Sequence, residues 1–180
     1  MNHLYTSIKR AGELFGKKNP SNEAMERIET VVIPDHVGWD ETVSYVPPVS
    51  GGRVIKVYDG DSITIATYVH GLPTLYRFSV RLNGIDCPEM RTRNETEKKA
   101  AVIAKELLSD KILGRDVELR NVSLEKYGRI LADVMIDNES MSEMLIANHL
   151  AVRYDGGTKL PPDDWMDYYL TTNMGGSNCI

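Results

Sequence analysis

A chain of 180 residues with 42% hydrophobic content can bury one core of ordinary size, with little left over for a second. Its formal charge of -5 is unevenly spread: residues 1–50 carry five Lys/Arg against seven Asp/Glu, residues 51–160 carry sixteen of each, and residues 161–180 carry only Asp163, Asp164 and Asp167. A broad basic surface is thereby excluded, and any contact with a polyanion must be local, through a few arginines or a bound cation.

In chain order, Leu4, Ile8, Ala11 and Phe15 recur at helical spacing among Lys9, Arg10, Lys17 and Lys18, which predicts a short amphipathic helix over residues 1–18. Residues 19–52 hold Pro20, Pro34, Pro47, Pro48 and the pair Gly51-Gly52 with weak periodicity, so residues 1–52 read as a helix followed by a linker or arm. The compact domain is expected to begin at Arg53 and run to about residue 160. Strands are predicted at Val54–Tyr58, Ser62–Tyr68 and Leu75–Asn83, punctuated by Asp59-Gly60-Asp61 and His70-Gly71-Leu72-Pro73. In the third, Phe78, Val80 and Leu82 alternate with Arg77, Ser79 and Arg81, so one face is buried while the other shows two arginines.

Asn94 with Glu97 three residues later predicts a capped helix start. Ala100, Ile103, Ala104, Leu107, Leu108 and Ile112 then make one apolar stripe, which Gly114 ends. Two further strands are expected at Asp116–Val122 and Ile130–Ile136. Ser140 with Glu143 predicts a second helix to about His149, and Trp165, Tyr168 and Tyr169 suggest a last helix packed on the barrel, within a tail spanning 161–180. Three strands, a helix, two strands and a helix is the order of a five-stranded OB-type barrel with helices, an α+β arrangement that often carries oligonucleotide sites. The fold alone does not decide function.

Cys87 and Cys179 stand in no metal or redox spacing, which argues against a disulfide framework. No secretory signal opens the sequence and no stretch nears the roughly 18 apolar residues of a membrane span, so a soluble, intracellular protein is expected. His3, His36, His70 and His149 form no ligand spacing either.

Chemistry-bearing residues gather where such a barrel leaves its strands: Asp61 at the start of the second, Arg81 on the third, Asp86 and Glu89 just after it, and Arg129 before the fifth. Two carboxylates can hold a hard cation through oxygen, a third can orient or deprotonate water, and two guanidinium forks can offset charge on a pentacoordinate phosphorus.

Three ordered strings, Val54-Ile55-Lys56-Val57-Tyr58-Asp59-Gly60-Asp61-Ser62, Arg81-Leu82-Asn83-Gly84-Ile85-Asp86-Cys87-Pro88-Glu89 and Lys126-Tyr127-Gly128-Arg129, resemble the staphylococcal nuclease family across about residues 53–155. The resemblance implies Ca²⁺ held by Asp61, Asp86 and the main-chain carbonyl of Cys87, with Glu89 handling the attacking water and Arg81 and Arg129 gripping the phosphate. Lys126 and Tyr127 fall where the family meets substrate, and Tyr154 lies near where it supplies a stacking tyrosine. It also implies an endonuclease that accepts DNA and RNA, prefers single-stranded or locally opened substrate, and leaves 3′-phosphate and 5′-hydroxyl ends. Ser62 stands where the family usually has Thr, and Cys87 where Thr or Ala is common. The rival reading is a non-catalytic nucleic-acid or protein-binding module of the same fold, which typically lacks part of this residue set.

Overall fold

The structure is a computed structural model describing residues 32–174, so the helix expected over 1–18 lies outside the described residues. The chain divides into two units, Met1–Val43 and Ser44–Ile180. In the first, the described residues form a turn in which the Thr42 N–H donates to the Trp39 carbonyl at 3.2 Å.

The second unit is a barrel with three helices. Its ring strands are β1 (Gly51–Val57), β2 (Ser62–Tyr68), β3 (Leu75–Leu82), β5 (Asp116–Leu124) and β6 (Ile130–Ile136), adjacent in the order β3-β2-β1-β5-β6, with the short strands β4 (Ile85–Asp86), β7 (Glu139–Ser140) and β8 (Val152–Arg153) outside the ring. A parallel pairing of β3 with β6, Val80 opposite Ile130 and Leu82 opposite Ala132, closes the ring. Closure leaves no free edge among these five and commits alternate side chains to the interior. β6 alternates buried and half-buried residues throughout its length, and Val80 and Leu82 on β3 are fully buried. Full burial of such side chains contributes about 1.5–3 kcal/mol each.

The helices stand close to where their caps predict. α1 (Glu95–Ile112) begins at Asn94, whose side-chain oxygen accepts from the N–H groups of Thr96 and Glu97, and it buries Ala100, Ala101, Ala104, Leu108 and Ile112. The reciprocal half of the expected capping box does not form, because the Glu97 carboxylate points to the Glu89 N–H and the Thr92 hydroxyl instead. α2 (Met141–Ala147) is capped by Ser140, ending two residues before His149. α3 (Trp165–Met174) starts at Asp164, which accepts from the N–H groups of Met166 and Asp167 and from the Thr96 hydroxyl at 2.7 Å. Its main packing partner is α1 rather than the barrel, although Tyr169 reaches the core.

The largest departure from the sequence expectation is at Gly51-Gly52, which open β1 instead of ending a linker. A Cβ on Gly51 would lie 2.2 Å from the Val117 carbonyl oxygen, and one on Gly52 2.6 Å from that of Ala66, so glycine lets β1 approach both neighbours. Val49 just before them is buried, and the Ser50 carbonyl accepts from the Leu119 N–H.

Gly60, in the β1–β2 turn, is needed for the same steric reason. A Cβ there would meet Cys87 Sγ at 2.8 Å and Ala104 Cβ at 3.0 Å, all within buried surroundings. Gly60→Ala is therefore expected to cost about 1–3 kcal/mol by overpacking, read as a lowered urea midpoint. An unchanged midpoint would show that this turn relaxes freely.

Candidate active site

Barrel register assembles the site. Pairing of β2 with β3 sets Arg81 opposite Ser62, next to Asp61, whose own carbonyl accepts from the Leu82 N–H at 2.8 Å. The parallel β3–β6 pairing brings the end of the β5–β6 hairpin, and with it Arg129, to the same end of the barrel. After β3 the chain turns at Asn83-Gly84, with Gly84 at φ 78°, and enters β4 (Ile85–Asp86), which pairs with β8 (Val152–Arg153). That two-residue pairing fixes Asp86. Asn83 is held in turn by its N–H on the Ala132 carbonyl and its side-chain amide on Asp133.

Asp61, Arg81, Asp86 and Arg129 join in one network. Arg81 Nη1 lies 2.9 Å from Asp61 Oδ2, and Nη2 lies 3.3 Å from Asp86 Oδ1. On the other side of Asp61, the Ser62 hydroxyl donates to Oδ1 at 2.9 Å and itself accepts from Arg129 Nη1 at 3.2 Å. Arg129 is oriented by Glu125, which takes Nε at 2.5 Å and Nη2 at 3.0 Å. Those hydrogen bonds hold the Glu125 carboxyl below and the Arg129 guanidinium above their ordinary values.

Asp61 and Asp86 are only 5% and 4% exposed. Burial pushes the Asp61 carboxyl up to about 7, against the opposing pull of Arg81 and with a further push from Asp59. Two carboxylates held close together at the barrel end form an all-oxygen donor set that fits a hard cation such as Ca²⁺. Among the described residues no three His, Cys, Asp or Glu side chains cluster to hold a metal, so an ion at Asp61 and Asp86 must draw on a carbonyl, water or substrate oxygen. Cys87 can contribute only its carbonyl to such an ion: its thiol is buried, and desolvation followed by the neighbouring aspartates raises it well above its ordinary value, which keeps it protonated.

Glu89 stands apart from the buried pair. Its side chain is 59% exposed, its backbone N–H donates to Glu97, and its carboxylate meets Lys159 Nζ at 3.0 Å. Lys159 Nζ also lies 2.8 Å from Asp86 Oδ1. A groove of about 870 Å³ runs beside Arg81, and Lys126 and Tyr154 both line it, together with Gly84, Gly156 and Gly157. The Tyr154 hydroxyl donates to the Gly157 carbonyl. Tyr127 is 74% exposed on the hairpin tip with the Lys126 ammonium 5.0 Å from its ring centre, and it is not among the residues lining the groove.

Four participants carried no weight in the sequence. Glu125 had the i,i+4 spacing to Arg129 as a signal, and Ser62 had its place in the first string. Glu97 was accounted for as a cap, and Lys159, the last basic residue of the chain, stood in a glycine-rich segment.

The profile described as Staphylococcal nuclease homologue matches residues 79–165, from β3 to the first residue of α3. "Probable endonuclease LCL3" of Komagataella phaffii is 26% identical over 141 residues, which cover 66% of this chain and 62% of that protein. A protein named as a probable endonuclease in Schizosaccharomyces pombe is 32% identical over 85 residues, 43% of this chain and 37% of its own length. The Kluyveromyces lactis LCL3 is 24% identical over 152 residues, 82% of this chain and 56% of that one. The chain thus spans less than two thirds of each of these relatives. No helix among the described residues is long and apolar enough to cross a membrane. With a closed five-stranded barrel, three helices and a match over residues 79–165, the chain is similar over that segment to the staphylococcal nuclease homologue family.

Proposed function

We propose that this chain is a Ca²⁺-dependent endonuclease that hydrolyses phosphodiester bonds in single-stranded or locally opened DNA and RNA, leaving 3′-phosphate and 5′-hydroxyl ends. The observation that carries this reading is the continuous network from Arg129 through Ser62, Asp61 and Arg81 to Asp86, which places two guanidinium groups around two buried carboxylates.

In this reading Asp61, Asp86 and the Cys87 carbonyl hold the ion. Calcium bound there supplies a hard Lewis acid that offsets phosphate charge and lowers the pKa of a bound water. The exposed carboxylate of Glu89 takes the proton as water oxygen bonds to phosphorus, and the bond from phosphorus to the 5′-oxygen breaks, that oxygen taking a proton from solvent to leave as the hydroxyl. Arg81 and Arg129 act on the phosphoryl oxygens, whose charge grows towards the pentacoordinate state. The groove beside Arg81 gives the adjoining nucleotide a berth, with the Lys126 ammonium for phosphate and the Tyr154 ring for a base. Tyr127, exposed at the hairpin tip next to Lys126, suits a base further along the strand. Phosphate gripping and stacking carry little sequence information, which accounts for acceptance of both DNA and RNA. We take residues 53–160, with the Gly51-Gly52 start of β1, as the nuclease domain, the residues before them as an arm and residues 161–180 as a tail.

The test is cleavage of an end-labelled single-stranded oligonucleotide with Ca²⁺ against a calcium chelator. Calcium-dependent products ending in 3′-phosphate are expected. Binding of the oligonucleotide without cleavage under any divalent ion would instead identify a non-catalytic module of the same fold.

A further inference from the structure

Lys159 has no part in the reaction just described, yet its ammonium stands between two of the carboxylates that the reaction uses. Nζ is 2.8 Å from Asp86 Oδ1 and 3.0 Å from Glu89 Oε1. The two acids differ in setting, one buried and one at the surface, and Lys159 joins them. Arg81 reaches the same Asp86 oxygen at 3.3 Å. A bare Asp86 carboxylate would carry a large desolvation penalty, and the ammonium adds a second positive neighbour that lessens it.

The lysine comes from a surface segment following β8. Asp155-Gly156-Gly157-Thr158 precede it, the Asp155 carboxylate accepts from the Gly157 N–H at 2.9 Å, and Leu160 just beyond is 78% exposed. The side chain itself is 46% exposed, so its head can withdraw into water without unpacking any of the core. A divalent ion at Asp61 and Asp86 needs the Asp86 oxygen that this ammonium approaches, and like charges a few ångströms apart in a partly desolvated site repel strongly.

We propose that Lys159 is a place-holding cation of the site: its ammonium keeps Asp86 and Glu89 together while no divalent ion is bound, and it gives way when the ion enters. This rests on the reading of Asp61 and Asp86 as cation ligands. Loss of the place-holder removes a competitor, so the carboxylates bind the ion more tightly, whereas a residue that merely braced the loop would leave affinity unchanged or lower it.

Calorimetric titration of Ca²⁺ alone into the full chain, without nucleic acid, separates these cases. Lys159→Gln is expected to bind Ca²⁺ about tenfold more tightly than the parent, a modest figure because the ammonium is half in water. Lys159→Arg, which keeps the charge, is expected to stay within about threefold of the parent, a window well inside that tenfold difference. Equal or weaker binding by Lys159→Gln, with the parent binding normally, overturns the place-holder and leaves the cation site standing. Tightening by both variants alike overturns it too, because the effect would then not follow the charge. If neither the parent nor Lys159→Gln takes up calcium, the cation reading itself falls and the proposal with it.

Discussion

Replacing Arg129 by alanine is expected to slow cleavage about a thousandfold while leaving the unfolding transition nearly unmoved, whereas Arg81→Ala is expected to damage both. The two arginines share a task in the proposed chemistry but differ in what they hold up. Arg129 is one third exposed, and its main partner, Glu125, lies four residues away in the same hairpin, so its loss removes one local pair and no bridge between distant strands. Arg81 is 15% exposed and bridges two carboxylates that are almost fully buried. Without it, in the absence of metal, both are left without their shared guanidinium, and breaking a buried pair in this way costs about 3 kcal/mol. Single-turnover cleavage with calcium and urea unfolding with chelator measure the two halves separately. A near-parental rate for Arg129→Ala would remove that residue from the chemistry. Parental stability in Arg81→Ala would mean that Asp61 and Asp86 do not depend on its charge.

The barrel was largely legible because its strands have the period that burial imposes. Val80 and Leu82 on β3 and the four alternating buried residues of β6 announced their faces, and Asn94, Ser140 and Gly114 marked helix ends by side-chain and backbone chemistry that acts locally. What stayed hidden depends on contacts between distant residues. β4 and β8 are two residues each, too short to show any alternation, yet their pairing is what holds Asp86. Gly51 and Gly52 look like punctuation until the carbonyls of Val117 and Ala66 are seen to press on them from both sides. Glu97 fits a capping box in one dimension but bonds to the Glu89 backbone in three. Lys159 is seventy residues from Glu89 along the chain, and only the turn after β8 brings it back to the site. The family strings pointed to acids and arginines; the groups that orient or shield those residues lay outside the strings or were given other tasks within them.

Asp61→Asn is expected to weaken Ca²⁺ binding about a hundredfold and cleavage with it, while the metal-free protein stays at least as stable as the parent. The loss follows from removing one of two buried charges beside a divalent ion. The retained stability follows from burial: Asp61 is 5% exposed, and desolvation raises its carboxyl to about 7 in the folded protein. A carboxyl whose folded value lies above its unfolded one binds more protons in the native state between the two. The parent's stability contribution from Asp61 is therefore present at low pH and lost as pH rises through that window towards 7. Asparagine carries no such charge, and its side-chain oxygen can still accept from the Ser62 hydroxyl, while Arg81 keeps Asp86 as a partner. The variant's advantage should accordingly be largest above pH 7 and shrink as the solution is acidified. Thermal unfolding in chelator from pH 5 to pH 8, run beside calcium calorimetry, tests the argument. A variant that melts well below the parent at pH 8 would show that the Asp61 charge stabilises the fold through Arg81 more than its burial costs, and unchanged calcium affinity would take Asp61 out of the cation site.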